Sequence, residues 1–385
     1  MEPSGKLHPE PFCVALLTDG LFPLSIGGMQ KHSVRLAASL ADAGARVMLF
    51  HPHEHLDIAA LFTQEQRENI EAIYIPWPAA APVPGHYLLR NYRYSKAIHE
   101  VLLREQQRIS AVYVQGFAGW KTISSGLNGI PVVLNLHGME MFQAMQGWRN
   151  KLQGFMLRLP AARLIKKADA VVSLGGKLSQ IIAGIAPAQR ILTLPVGIDD
   201  SWFEQPERIS PKEKTVLFVG RYEWRKGLDL LNQVMPKLLQ QARFKVSFRF
   251  IGDIPEDKRL VHDRVCYEGA LRDEQRIKSI YRSAYALVCP SYSEGMPTVI
   301  LEAMASGLPV VASDVGAVAL LVSSENGQLI EPGNAAALES ALEAILTCTE
   351  PEAAALGAAS MRKAAAFSWK QIGRQTLQTL QELKA

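Results

Sequence analysis

Apolar residues fall in short unbroken blocks along nearly the whole chain, separated by stretches in which they recur every three or four positions. Unalternated blocks suit strands buried on both faces, and the spaced stretches suit helices that cover a sheet. In the first half the blocks predict strands at 12–18, 46–50, 72–75, 111–114, 131–136, 170–174 and 190–194. A helix is predicted from the pair Gly27-Gly28 to about Gly44, with Val34, Leu36, Ala37, Leu40 and Ala41 on its apolar face. The second half repeats the alternation, with strands at 215–220, 247–252, 265–267, 286–290 and 310–313 and a helix at 228–239. Such alternation makes parallel sheets that take ligands beyond the carboxyl ends of their strands. At 385 residues the chain is long for one domain and suits two.

One stretch concentrates the chemistry: Ser293-Glu294-Gly295-Met296-Pro297-Thr298, with Glu302 eight positions after Glu294. Pro297 suits the first turn of a helix, and Gly307 with Pro309 its end. Glu294 and Gly295 then sit on a strand-to-helix loop, and Glu302 one turn into the helix. The open N–H groups and positive pole of that helix would face the same space, a setting for a phosphate or a developing anion.

With its flanking residues this stretch resembles the E-x7-E signature of the retaining family 4 glycosyltransferases. Gly220-Arg221…Lys226-Gly227 is similar to the G-R-x4-K-G of that family, and Gly27-Gly28-Met29-Gln30-Lys31-His32 to its GG-x-E-x-H opening, with Gln30 where Glu is usual. After Asp314 the family pattern ends in a Glu; here Gly316-Ala317-Val318-Ala319-Leu320 lacks it.

The resemblance implies a GT-B architecture, two Rossmann-like domains facing across a cleft. It places an acceptor-side domain at 1–195, a donor domain at 196–366, and a helix at 367–385 that returns to the first domain. It implies transfer of a sugar from a nucleotide-diphosphate sugar to a hydroxyl, with retained anomeric configuration. Arg221 and Lys226, with the helix after Gly295, would hold the diphosphate. Glu294 would touch the donor sugar and Glu302 the ribose hydroxyls. Gly27, Gly28 and His137, at the strand end Leu136-His137-Gly138, would complete the site, with Met296, Pro297 and Thr298 on the donor side. A polysaccharide, lipopolysaccharide or glycolipid acceptor follows from the same likeness. A GT-B epimerase or a non-catalytic nucleotide-sugar binder are the other readings.

No D-x-D sequence occurs, so the carboxylate clamp for a divalent ion is missing and neither a metal nor a cofactor is expected. His51, His53 and His55 alternate but have no further ligand nearby in sequence, so a polar loop is the better reading. Cys13, Cys266, Cys289 and Cys348 lack metal spacing and read as reduced, mostly buried thiols. No apolar run reaches the roughly 18 residues of a membrane span, and Glu2 and Glu10 precede the first apolar block, so no signal peptide and a cytoplasmic protein are expected.

Net charge is only +4, yet residues 86–168 carry twelve Lys and Arg against three acids. Aromatic content of 8% and the lack of a nucleic-acid motif argue against nucleic acid as the partner. From Met141 to Ala168 there is no acid, and Trp148, Leu152, Phe155, Met156 and Leu159 recur at helical spacing among Arg149, Lys151, Arg158, Arg163, Lys166 and Lys167. Two readings stay open: the stripe packs on the core, or it lies on an anionic membrane on the cytoplasmic face near a lipid-linked acceptor.

Overall fold

The computed structural model describes residues 11–79, 86–203, 214–241 and 245–385. Residues 1–10, on which the expectation of no signal peptide partly rests, lie outside them. The first half builds seven strands: β1 Cys13–Leu17, β2 Arg46–His51, β3 Ile70–Tyr74, β4 Ala111–Gln115, β5 Val132–Asn135, β6 Ala170–Ser173 and β7 Ile191–Thr193. Its helices are α1 Gly28–Asp42, α2 Gln64–Asn69, α3 His86–Glu105, α4 Trp120–Ser125, α5 Trp148–Lys167 and α6 Lys177–Ile185. The second half builds β8 Lys214–Val219, β9 Val246–Ile251, β10 Val265–Tyr267, β11 Ala286–Cys289, β12 Val310–Ser313 and β13 Gly327–Ile330. Between and after them run α7 Leu228–Gln240, α8 Glu274–Ser283, α9 Thr298–Ala305, α10 Val318–Leu321, α11 Ala335–Thr347, α12 Glu350–Ala365 and α13 Trp369–Lys384.

All strand pairs are parallel. The first sheet runs β3-β2-β1-β4-β5-β6-β7 and the second β10-β9-β8-β11-β12-β13. This is the GT-B arrangement. Each sheet reverses its winding once, between β1 and β4 and between β8 and β11, and at such a switch point adjacent loops part to leave a crevice. The inner strands are covered by helices on both faces: every residue of β1, β4, β5, β11 and β12 is buried.

β13 was not anticipated. Its Gln328 and Leu329 are exposed on the sheet edge, so it lacks the apolar block by which the others are legible. Of the four cysteines, Cys13 and Cys289 are buried, but Cys266 is exposed because β10 is a short edge strand, and Cys348, just past the end of α11, is half-buried.

The last helix needs a partner for its stripe of Ile372, Leu377 and Leu380, and finds it on α1 in the first half. Gly373 makes the approach close: a Cβ there would lie 2.5 Å from the carbonyl oxygen of Ser39. Two backbone hydrogen bonds between Ile198 and the 367–369 segment hold the start of α13 against the crossover between the sheets.

Candidate functional site

The loops after β8 and β11 meet on Glu294. Lys226 Nζ donates to its Oε1 at 2.8 Å, Ser291 Oγ donates to the same atom at 2.9 Å, and Arg225 Nη1 donates to Oε2 at 3.3 Å. The Glu294 side chain is 6% exposed, so both cations act on it with little screening by water. Burial works against the Arg225 charge, but the summed pull of Glu294, Glu140 and Glu223 raises its pKa above the ordinary value.

Arg221 stands apart from this cluster. Its side chain is 70% exposed and pairs with Glu223 at 2.8 Å. The arginine brought to Glu294 is Arg225, next to Lys226 in a short turn that Gly227 ends. The sequence offered one signal for it: a cation beside Lys226.

Pro297 occupies the cap position of α9 rather than its first turn, with extended backbone, and Thr298 begins the helix. Met296 is buried and its sulfur accepts from the backbone N–H of Val196 at 3.3 Å, tying the donor-side loop to the first half. Glu302 Oε2 accepts from the Tyr281 hydroxyl at 2.8 Å. Burial pushes the Glu302 carboxyl up, against a smaller opposing pull from Lys31. With Thr298 it lines a small cavity of about 60 Å³ whose other walls include Gly28, Lys31, His32, Asp199 and Trp369. Glu302 therefore faces the start of α1 across the two halves.

The two sheets touch where Gly138 follows β5 and Gly295 follows β11. A Cβ on Gly295 would lie 3.0 Å from the Gly138 Cα, so the loops approach at backbone distance. Gln143, which sequence reasoning missed, bridges them: its amide donates to the Glu294 carbonyl at 2.9 Å and to the Gly138 carbonyl, and accepts from Ser293 Oγ at 3.1 Å. Where the family pattern departs, Gly316 has φ +54°, and a Cβ there would meet the Glu294 carbonyl oxygen at 2.2 Å. Glycine is required there to seat the Glu294 loop. Leu320, in place of the usual Glu, lies against Gly175 of the first half.

His137 sits on left-handed backbone at φ +55°, costly for a residue with a Cβ and common at functional sites. Its N–H donates to Asn135 Oδ1 at 2.8 Å, and its Nε2 meets Gln115 Oε1. The Gln115 amide nitrogen lies 3.0 Å from His32 Nδ1. The His32 ring stands edge-on to His137 at 4.8 Å and to Trp369 at 5.2 Å. Burial lowers the His137 pKa to about 4 and, with His137 beside it, lowers that of His32 as well. Both rings are neutral at pH 7.

Gly27 caps α1 and Gly28 begins it. The departure at Gln30 has a structural counterpart: its amide donates to Asp19 Oδ1 at 3.0 Å, where a glutamate would set two carboxylates against each other. His51 and His53 support their own loop, His51 Nδ1 accepting from the His53 N–H and His53 Nε2 from the Leu21 N–H. Among the described residues no three His, Cys, Asp or Glu side chains cluster as a metal site requires.

Known proteins show the same layout. Residues 26–202 match the family described as Glycosyltransferase Family 4, and residues 213–348 match Glycosyl transferases group 1. It belongs to the GT4-type glycosyltransferases. The chain is 26% identical to the putative teichuronic acid biosynthesis glycosyltransferase TuaC of Bacillus subtilis, over 70% of each chain. It is 28% identical to the D-inositol 3-phosphate glycosyltransferase of Segniliparus rotundus, over 68% of this chain and 62% of that protein. Sucrose-phosphate synthase from Thermosynechococcus elongatus shares the fold at a TM-score of 0.75 and 22% identity, with 97% of this chain and 99% of that one covered. This glycosyltransferase is thus a GT-B protein related to enzymes of polysaccharide and glycolipid synthesis.

The helix carrying the basic and apolar stripes, α5, buries only Gly154, Pro160, Ala161, Leu164 and Ile165. Trp148 is 71% exposed, Leu152 53%, Phe155 59%, Met156 42% and Leu159 60%. The stripe does not pack on the core. Arg149, Lys151, Arg158, Arg163, Lys166 and Lys167 are exposed beside it. No helix of the described residues is long and apolar enough to cross a membrane.

Proposed function

We propose that this glycosyltransferase moves a sugar from a nucleotide-diphosphate sugar to a hydroxyl of a lipid-linked or membrane-associated glycan acceptor, with retention and without a metal. The observation that carries the reading is Glu294 held by Lys226 and Arg225 at the β8/β11 switch point, facing the first sheet through Gly138. Two cations within reach of one buried carboxylate can redistribute onto a diphosphate as it departs, a charge-stabilising role that a metal ion fills elsewhere. Arg221, exposed at the rim, would reach the outer phosphate by releasing Glu223. Glu302, half-buried and looking into the cavity by α1, would accept from ribose hydroxyls. His137, neutral and held in one orientation, would hydrogen-bond the donor sugar. Closure at the Gly138–Gly295 contact would exclude water from the bond being transferred.

The exposed stripe of α5 supports the peripheral-membrane part of the reading. Apolar side chains ringed by cations fit the headgroup layer of an anionic bilayer, and would bring the acceptor side of the cleft near lipid. The relative named for teichuronic acid biosynthesis is in keeping with a glycan acceptor.

A panel of UDP-, GDP-, ADP- and dTDP-sugars tests the donor. The true donor at roughly 100 times its dissociation constant should add about 2.7 kcal/mol of stability. Turnover with that donor should survive excess EDTA, and the anomeric coupling of the product by NMR should match that of the donor. Loss of turnover to chelator with recovery on Mg²⁺, or an inverted anomer, would overturn the mechanism.

A further inference from the structure

A separate opening lies beside the Glu294 loop at Ser293 and shares no lining residue with the Glu302 cavity. It measures about 470 Å³, within the roughly 300–1,000 Å³ of small-molecule sites. One wall is the start of α5 with the turn before it, contributing Glu140, Met145 and Asn150; the other is Glu223, Trp224 and Arg225. We infer that this cleft binds an uncharged pyranose, the terminal sugar of the acceptor. The inference rests on the transferase reading and adds the chemical class of the acceptor headgroup.

Three observations point there. The first is an aromatic platform: the Trp224 ring stacks on Tyr292 at 4.5 Å and 3°, so its orientation is held while it lines the cleft. The C–H faces of a pyranose pack on such a ring, and carboxylate and amide side chains such as Glu140, Glu223 and Asn150 take its hydroxyls. The second is the charge. Arg225 pairs with Glu223 at 2.7 Å and with Glu294 at 3.3 Å, and Glu223 also holds Arg221 at 2.8 Å, so these wall charges are matched among themselves. An anionic headgroup would have to break those pairs to gain a counter-ion, and a neutral polyol would not. The third is continuity. Arg225 is at once a wall of the cleft and a partner of Glu294, so a sugar seated here is separated from the donor-side carboxylate by that one side chain. Asn150 and Leu157 line the cleft from one face of α5, whereas Trp148, Leu152 and Phe155 are exposed on the opposite face.

The test is saturation-transfer NMR with n-octyl β-D-glucopyranoside and n-octyl β-D-galactopyranoside below their micelle concentrations, and n-octyl phosphate as the anionic counterpart. With the wild-type chain, ring protons of at least one glycoside should be saturated, and octyl phosphate should not displace it. Two variants attack opposite walls: Trp224→Ala removes the platform, and Ala144→Trp fills the cleft from the first half. Each is first shown by circular dichroism to fold and melt like the wild type. Each should cut ring-proton saturation at least fivefold; Phe155→Glu, on the opposite face of α5, should leave it unchanged. Absence of ring saturation in the wild type, displacement by octyl phosphate, or ring saturation that persists in both wall variants would overturn the assignment. The nucleotide-sugar panel is read on the wild type in parallel. A failure of all donors with intact glycoside binding would defeat the transferase reading and leave the sugar cleft standing.

Discussion

Lys226 Nζ lies 2.8 Å from Glu294 Oε1, a contact between residues 68 positions apart that joins the loops on either side of the second sheet's switch point. The cation expected to hold the diphosphate and the carboxylate expected to touch the sugar neutralise each other. On the proposed reading, donor binding would exchange one anionic partner of Lys226 for another.

Glu294→Gln keeps the shape and the Ser291 hydrogen bond but removes the charge that faces Lys226 and Arg225. Turnover should fall by about 10²-fold or more, the order seen when a preorganised electrostatic contact is lost. Donor affinity by calorimetry should change by only a few fold. Full turnover at saturating donor and acceptor would show that Glu294 lies outside the reaction.

Glu302 has a pH signature. Burial raises its folded pKa above the ordinary 4.5, so the folded chain prefers the protonated carboxyl, and that contribution is lost as pH rises from about 4.5 through the raised value. Glu302→Gln should therefore melt above the wild type at pH 8, with the gap closing toward pH 4.5. The same variant should bind the donor nucleotide roughly tenfold more weakly, trading function for stability. An unchanged melting difference across that pH range would mean the carboxyl is not strained by burial.

The α5 surface is tested by flotation with vesicles. Recovery with the lipid should require anionic headgroups and decline as salt is raised. Lys166→Glu/Lys167→Glu should weaken binding, each cation contributing on the order of 1 kcal/mol. Trp148→Glu/Phe155→Glu should weaken it further because those are the two exposed aromatic rings on the helix. Equal recovery in the soluble fraction with neutral and anionic vesicles would leave α5 to another role.

Gly373→Leu tests the return of α13. The new side chain would collide with the Ser39 backbone and lift the helix from α1, costing roughly 1–3 kcal/mol as overpacking usually does. Because Trp369 begins the same helix and meets His32, turnover should drop as well. A melting temperature equal to the wild type would show that the α1–α13 contact tolerates a gap.

The sequence by itself determined what is local. Unalternated apolar blocks such as 286–290 and 310–313 mark strands buried on both faces, and β11 and β12 lie there. The loop carrying Glu294 and the helix carrying Glu302 are one contiguous strand–loop–helix unit, so their order and spacing are written along the chain. Tertiary structure decided what depends on approach between distant segments. Arg225 rather than Arg221 meets Glu294, because the turn ending at Gly227 orients one cation inward and leaves the other in solvent. Gln143, Gln115 and Trp369 carry no signature of their own; they matter because folding sets them against Glu294, His137 and His32. The stripe on α5 shows the same limit. Helical periodicity says which side chains share a face, whereas only the placement of neighbouring elements decides whether that face is covered, and on α5 it is not.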